Sequence, residues 1–367
     1  MTVVIAAGTR KGLWLATSGP DGGWSVTGPA LAMREVPSLA FLPAAGGAPP
    51  ELLAGVRSEH WGPTVARSAD LGASWSETEE AAVRFPADTA AALERIWQLH
   101  PDPVRPEVVW AGCEPISLWR STDGGHRFEL VRALWDHPHR AQWGAGFGGA
   151  AAHTVVTDPA DPDRVLVAMS TGGVYASTDG GAGWEPRNLG IAAGFLPDPE
   201  PAFGQCVHKV AADAAGPDRL YAQNHGGVYR SDDAGGRWTS IADGLPADFG
   251  FPVLAHPGRS GTAWVIPLSA DALRFPPDGR LRPYRTDDAG ETWREVGHGL
   301  PDRAWTVVLR DAACVLAPDP AAPAGPAVLA FGTRDGCLYA SNDSGETFTE
   351  VAAHLPDVLC VRAAAYS

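Results

Sequence analysis

One octet recurs along the chain and constrains its fold more than any other feature. Its pattern is Ser/Thr-x-Asp-x-Gly-x-x-Trp/Phe. Intact copies run Ser68–Trp75, Ser121–Phe128, Ser177–Trp184, Ser231–Trp238, Thr286–Trp293 and Ser341–Phe348, with spacings of 53, 56, 54, 55 and 55 residues. A degenerate copy, Thr17–Trp24, lies 51 residues before the first and carries Gly19 in place of the Asp. Fixed self-similarity at such a period marks one supersecondary unit per repeat. The chemistry of the octet is that of a hairpin. Carboxylate and hydroxyl can bond nearby backbone amides and hold a turn. The glycine permits positive φ, and the closing aromatic opens the next strand and packs between sheets. An aromatic also stands two residues before most copies, at Trp119, Tyr175, Tyr229, Tyr284 and Tyr339.

Around each octet, β-propensity and alternation predict the same four strands. Second strands are expected to begin near Thr2, Glu51, Glu107, Arg164, Arg219, Thr262 and Ala327. Inner strands are offset from them, beginning near Val36, Arg95, His153, Cys206, Phe251, Trp305 and Val358. The first unit has no inner strand before it, and the last inner strand has no unit after it. The economical solution is an all-β, seven-bladed propeller of four-stranded antiparallel blades, one domain over residues 1–367. Its ring is closed by the C-terminal strand pairing with the N-terminal blade, which removes exposed sheet edges.

These octets resemble the Asp boxes (BNR repeats) of the sialidase-like propeller superfamily, over nearly the whole chain. The resemblance implies fold and says little of activity, because the box lies on a structural hairpin. Sialidases of that superfamily are similar to one another in an N-terminal Phe-Arg-Ile-Pro motif and in having six blades. Here Val83-Arg84-Phe85-Pro86 is a faint echo and seven blades are expected. Xyloglucanases of the superfamily build their cleft from two propellers, and this chain has one set of repeats. Photosystem assembly factors are non-catalytic members.

Composition narrows the function classes. Acidic residues outnumber basic ones 43 to 28, for a formal charge of -15. Such a surface repels phosphate backbones, so nucleic-acid binding is not expected. No run approaches the length of a membrane span. The N-terminus lacks the basic region of a secretory signal, and the five cysteines are odd in number and widely spaced. The expectation is a reduced, cytoplasmic protein whose partner is a small-molecule ligand or substrate, with oligomeric state not specified.

Topology points to a site. The octets occupy one face, and the long insertions fall on the other: Ala82–Glu94, Ala133–Ala152, Leu189–Gln205 and Leu268–Arg282. Long loops in a compact fold are commonly functional. Of 11 histidines, His60, His137, His139, His153, His208 and His225 map to that face or its rim. Neutral imidazoles are common ligands of Zn, Cu, Fe and Ni, so a divalent transition metal is the expected cofactor. Glu59 and Glu114 are the candidate catalytic carboxylates, each able to orient a ligand or act as a base. Arg10, Lys11, Trp61, Trp143, Asn224 and Arg334 are the candidate ligand-binding residues. The plainer alternative is that these histidines bond loop backbone or line a wet channel, and that the tryptophans pin the loops. Cys206 and His208 alternate on one expected strand, where a cysteine ordinarily belongs to the core. Three functions stand side by side: a metal-assisted enzyme acting on a small molecule, a glycoside hydrolase of sialidase-like type, and a non-catalytic interaction scaffold.

Overall fold

In the computed structural model, which describes residues 1–42, 48–58, 60, 62–78, 80–146 and 148–366, seven four-stranded antiparallel sheets follow one another along the chain. Their innermost strands are Glu35–Leu42, Arg95–Pro101, Ala152–Thr157, Val207–Asp213, Phe249–Ala255, Ala313–Leu316 and Val358–Tyr366. The last of these pairs with Thr2–Thr9 from Thr2↔Tyr366 to Thr9↔Val358, so the C-terminal strand completes the N-terminal blade. Fold class and ring closure are as the repeat predicted. The core is shared between neighbouring blades. Trp110, Trp119, Trp238 and Trp264 are among its largest fully buried side chains. No helix among the described residues is long and apolar enough to cross a membrane.

Each intact octet closes its hairpin in the same way. The first hydroxyl donates to the Asp carboxylate at 2.7–2.8 Å in all six copies. That hydroxyl also accepts from the glycine N–H four residues on, at 2.7–2.9 Å. The Asp then accepts from the amide four residues after itself. The glycines need positive φ, between 85° and 97°, which an L side chain strains to adopt. In the degenerate copy Asp21 takes over by accepting from Gly23 N–H at 3.1 Å. Ser231 is 1% exposed, so Ser231→Ala leaves the Gly235 amide without a partner. That substitution is expected to cost about 1–3 kcal/mol in urea denaturation, with no change in the cavity described below.

The inner strand of the seventh blade departs from expectation. Pairing begins at Ala313, not Trp305. Residues 305–309 form no strand, and a backbone bond runs from Arg334 N–H to Val307 O at 3.0 Å. A turn then follows, closed by Ala312 N–H to Leu309 O at 3.0 Å. Side-chain alternation is interrupted there, and both Arg310 and Asp311 reach the central cavity.

Candidate small-molecule and metal site

All seven inner strands start on the face opposite the octets, and their starts surround a cavity of about 750 Å³, a size suited to a small molecule. Glu35, Arg95, His153, His208, Phe251, Asp311 and Leu359 are contributed by the seven strands or the residues entering them. Three of the four insertions reach over it, with Gly146 and Gly148, with Phe195, and with Asp271 and Arg274. The fourth, Ala82–Glu94, instead buries Phe85 against Trp119 and Trp135, with ring centroids 4.9 and 4.8 Å away.

The floor is a buried ionic cluster. Asp311 accepts from Lys209 Nζ and, at 2.8 Å, from Arg362 Nη2. Burial disfavours the Asp311 charge, but Arg362 and Lys209 outweigh it and hold the carboxyl below its usual range. Burial pushes the Lys209 ammonium down, with Asp311 opposing. The cluster ties the fifth blade, the seventh blade and the closing strand together across the channel.

On the wall, Cys206, His208 and His225 each present a ligand atom, all within 4.8 Å of one another. The local fold explains the convergence. Cys206 immediately precedes the fifth blade's inner strand, and His208 sits at an irregularity in that strand's pairing, between Val207↔Asn224 and Lys209↔Gln223. The turn after the fifth blade's second strand carries His225, whose N–H donates to Cys206 O at 2.9 Å. His208 Nδ1 lies against Gly250 O. A carbonyl only accepts, so Nδ1 carries the proton and Nε2 keeps its lone pair. The ring stacks on Phe251 at 4.9 Å. Burial, reinforced by Arg310, lowers the His208 pKa to about 3, so the imidazole is neutral. His225 Nε2 lies 3.4 Å from Asp271 Oδ2, the carboxylate–histidine arrangement that orients metal ligands. Burial raises the Cys206 thiol while Arg310 opposes the rise. One sulfur and two imidazole nitrogens suit a borderline-soft ion such as Zn²⁺ or Cu²⁺.

The remaining expected residues are distributed differently. His153 lines the cavity at 1% exposure, its Nδ1 3.3 Å from Thr154 Oγ1, but stands apart from the three-residue group. Arg10 and Arg334 line the mouth and share Asp357, at 2.9 and 2.8 Å. Glu114 accepts from Trp97 Nε1 at 2.9 Å and thereby orients a wall residue. Lys11 and His60 are exposed away from the cavity wall. Asn224 is buried, and its Nδ2 donates to Ala192 O at 3.0 Å, pinning an insertion. His137 and His139 are not brought to the cavity. His139 stacks on Phe203 at 4.0 Å and lies 2.9 Å from the Tyr175 hydroxyl, which also accepts from Trp143 Nε1 at 3.1 Å. These three residues fasten the 133–152 insertion to the fourth blade. Glu59 and Trp61 fall outside the described residues.

Sequence reasoning missed Arg95, Trp97, Asp271, Arg274 and Arg310, all on the cavity wall. Asp271 and Arg274 sit inside an insertion already singled out for its length, and Arg95 opens an expected inner strand. Arg310 was hidden by the strand start placed at Trp305.

No protein-family model matches the chain. A xyloglucanase of Hypocrea jecorina is 26% identical over 283 residues, which is 66% of this chain and 30% of that protein. A probable oligoxyloglucan-reducing end-specific xyloglucanase of Neosartorya fischeri is 34% identical over 164 residues, 42% of this chain and 18% of that protein. The chain thus spans less than a third of the length of either. Among solved structures, an ancestral GH74 enzyme is similar with a TM-score of 0.56 at 17% identity, over 81% of this chain and 36% of that one. YCF48 from Cyanidioschyzon merolae gives 0.51 at 14% identity, over 87% of this chain and 90% of that one. The chain is a seven-bladed propeller with relatives among the xyloglucanases.

Proposed function

We propose that the protein is a metal-assisted enzyme acting on a small molecule in the mouth of the propeller, with Cys206, His208 and His225 as the metal ligands. The observation that carries this reading is the convergence of the three on the wall of an open cavity rather than in the closed core. Three protein ligands leave a coordination position for water or substrate, as catalytic zinc requires. A bound Zn²⁺ would supply Lewis acidity there. The chain's own residues do the rest. Gly250 O fixes the His208 tautomer, Asp271 orients His225, and the rings of Phe251 and Phe195 pack against His208 and His225.

Purified protein is expected to hold about one transition-metal ion per chain by elemental analysis. Cys206→Ser and His208→Gln are each expected to weaken it by more than the roughly 10–100-fold lost with outer-shell partners. Chelation should lower Tm, and zinc at a thousandfold excess over Kd should restore about 4 kcal/mol. Protein that contains no metal, and whose Tm ignores added Zn, Cu, Fe and Ni, would sink the reading.

The xyloglucanase relatives support a second reading, a glycoside hydrolase. It requires a pair of carboxylates, one serving as a proton donor. Glu35 is ion-paired with Arg95 at 2.9 Å, Asp271 with Arg274 at 3.1 Å, and Asp311 with Arg362 and Lys209. Arg362 and Lys209 hold Asp311 in its charged form, which counts against Asp311 in the acid role. Turnover of xyloglucan oligosaccharides that persists in chelated protein and in Cys206→Ser would nonetheless establish this reading over the first.

A further inference from the structure

Five arginines line the cavity of a chain whose formal charge is -15. Four contact three carboxylates: Arg10 and Arg334 share Asp357, Arg95 pairs with Glu35, and Arg274 with Asp271. Arg310 is not. Its guanidinium makes no hydrogen bond or ion pair among the described residues, and its Nη1 is buried without a partner. Its neighbour Asp311 is already taken by Lys209 and Arg362. What Arg310 does have is the face of Trp97, 5.0 Å from its charge centre to the ring centroid. A buried guanidinium with unused donors is expensive, and its fork geometry fits a carboxylate.

A second observation lies directly above it. Gly146 and Gly148 cross the cavity with backbone angles open to any residue. A Cβ on Gly146 would meet Cys206 Sγ at 3.7 Å, and one on Gly148 would meet Trp97 at 3.5 Å and Arg310 Nη2 at 3.8 Å. These are ordinary contacts. Packing against these described neighbours does not demand glycine at either position.

We propose that the cavity binds a small organic monocarboxylate, its carboxylate held by Arg310 and its apolar part against Trp97 and Phe251, with the remainder directed at the Cys206 group. This deepens the proposed function and rests on its reading of the cavity, but not on a metal being bound. The fork of one guanidinium matches the two oxygens of one carboxylate, and the faces of Trp97 and Phe251 suit an apolar body joined to it.

Isothermal titration of the full-length protein tests this with acetate and benzoate, with benzamide as the uncharged match to benzoate, and with inorganic phosphate. Each is run on zinc-loaded and on chelated protein. Benzoate is expected to bind at least about tenfold more tightly than benzamide or phosphate. Arg310→Met should abolish that preference while zinc stoichiometry stays unchanged. Gly148→Leu, which keeps every charge and fills the space over Arg310, should weaken benzoate as well and serves if Arg310→Met does not fold. Equal binding of benzoate and benzamide, tighter binding of phosphate, undiminished benzoate binding by both variants, or no carboxylate binding at tens of millimolar overturns the proposal. Carboxylate binding through Arg310 in a protein that takes up no metal would instead remove the metal centre and leave the anion site standing.

Discussion

Asp311→Ala is expected to destabilise the propeller by about 3–5 kcal/mol, the usual effect of stranding buried charges. Asp311 is 4% exposed, and its two oxygens are divided between Lys209 on the fifth blade and Arg362 on the closing strand. Removing the carboxylate leaves two cations facing each other in the channel with nothing between them. Asp311→Asn keeps the shape and removes the charge, so its loss should be smaller. Urea denaturation of the three proteins measures the difference. A loss below about 1 kcal/mol in the alanine variant would mean that water reaches the cluster well enough to make it equivalent to surface pairs.

Removing the chain from Val358 onward is expected to have the larger effect still, abolishing cooperative unfolding altogether. The deleted strand buries Val358, Cys360 and Val361 and supplies every backbone partner on one side of Thr2–Thr9. Its loss also removes Arg362 from Asp311. Without it the first blade has three strands and an open edge facing the channel, a site for pairing with other chains. Near-ultraviolet circular dichroism and size-exclusion chromatography read the outcome. A truncated protein that stays monodisperse with a sharp thermal transition would show that closure is dispensable.

The ring was legible in the sequence because its determinants are local and repeated. Ser231, Asp233 and Gly235 fix a hairpin through bonds that span four residues, and six such copies at one period leave little choice of architecture. The seventh inner strand was misread at Trp305 because propensity sees an apolar extended run there. Whether that run pairs is decided by a turn at Leu309–Ala312, and that turn aims Arg310 and Asp311. The histidines illustrate the same divide. His208 and His225 are 17 residues apart and meet through one backbone bond to Cys206. His137 and His139, with the more suggestive spacing, are captured by Tyr175 and Phe203, contacts across loops that leave no local pattern. Arg310 makes no ion pair among the described residues, and that cannot be read from a sequence in which charges are not yet placed beside one another.

The pairing of Thr2 with Tyr366 also orders events in time. A ribosome adding about 10 residues per second needs roughly half a minute to pass from Thr2 to Tyr366. Throughout that interval Thr2–Thr9 has no partner on its inner side, because Val358–Tyr366 is not yet made. Blades two to seven can be completed in order of synthesis, each from contiguous sequence. The first blade cannot, and the contact that completes it spans nearly the full chain length, the kind of long-range pairing that slows folding. The nascent chain therefore carries an unfinished edge on Thr2–Thr9 until Val358–Tyr366 has emerged, so the segment in need of protection and the segment that ends that need lie at opposite ends of the ring's sequence.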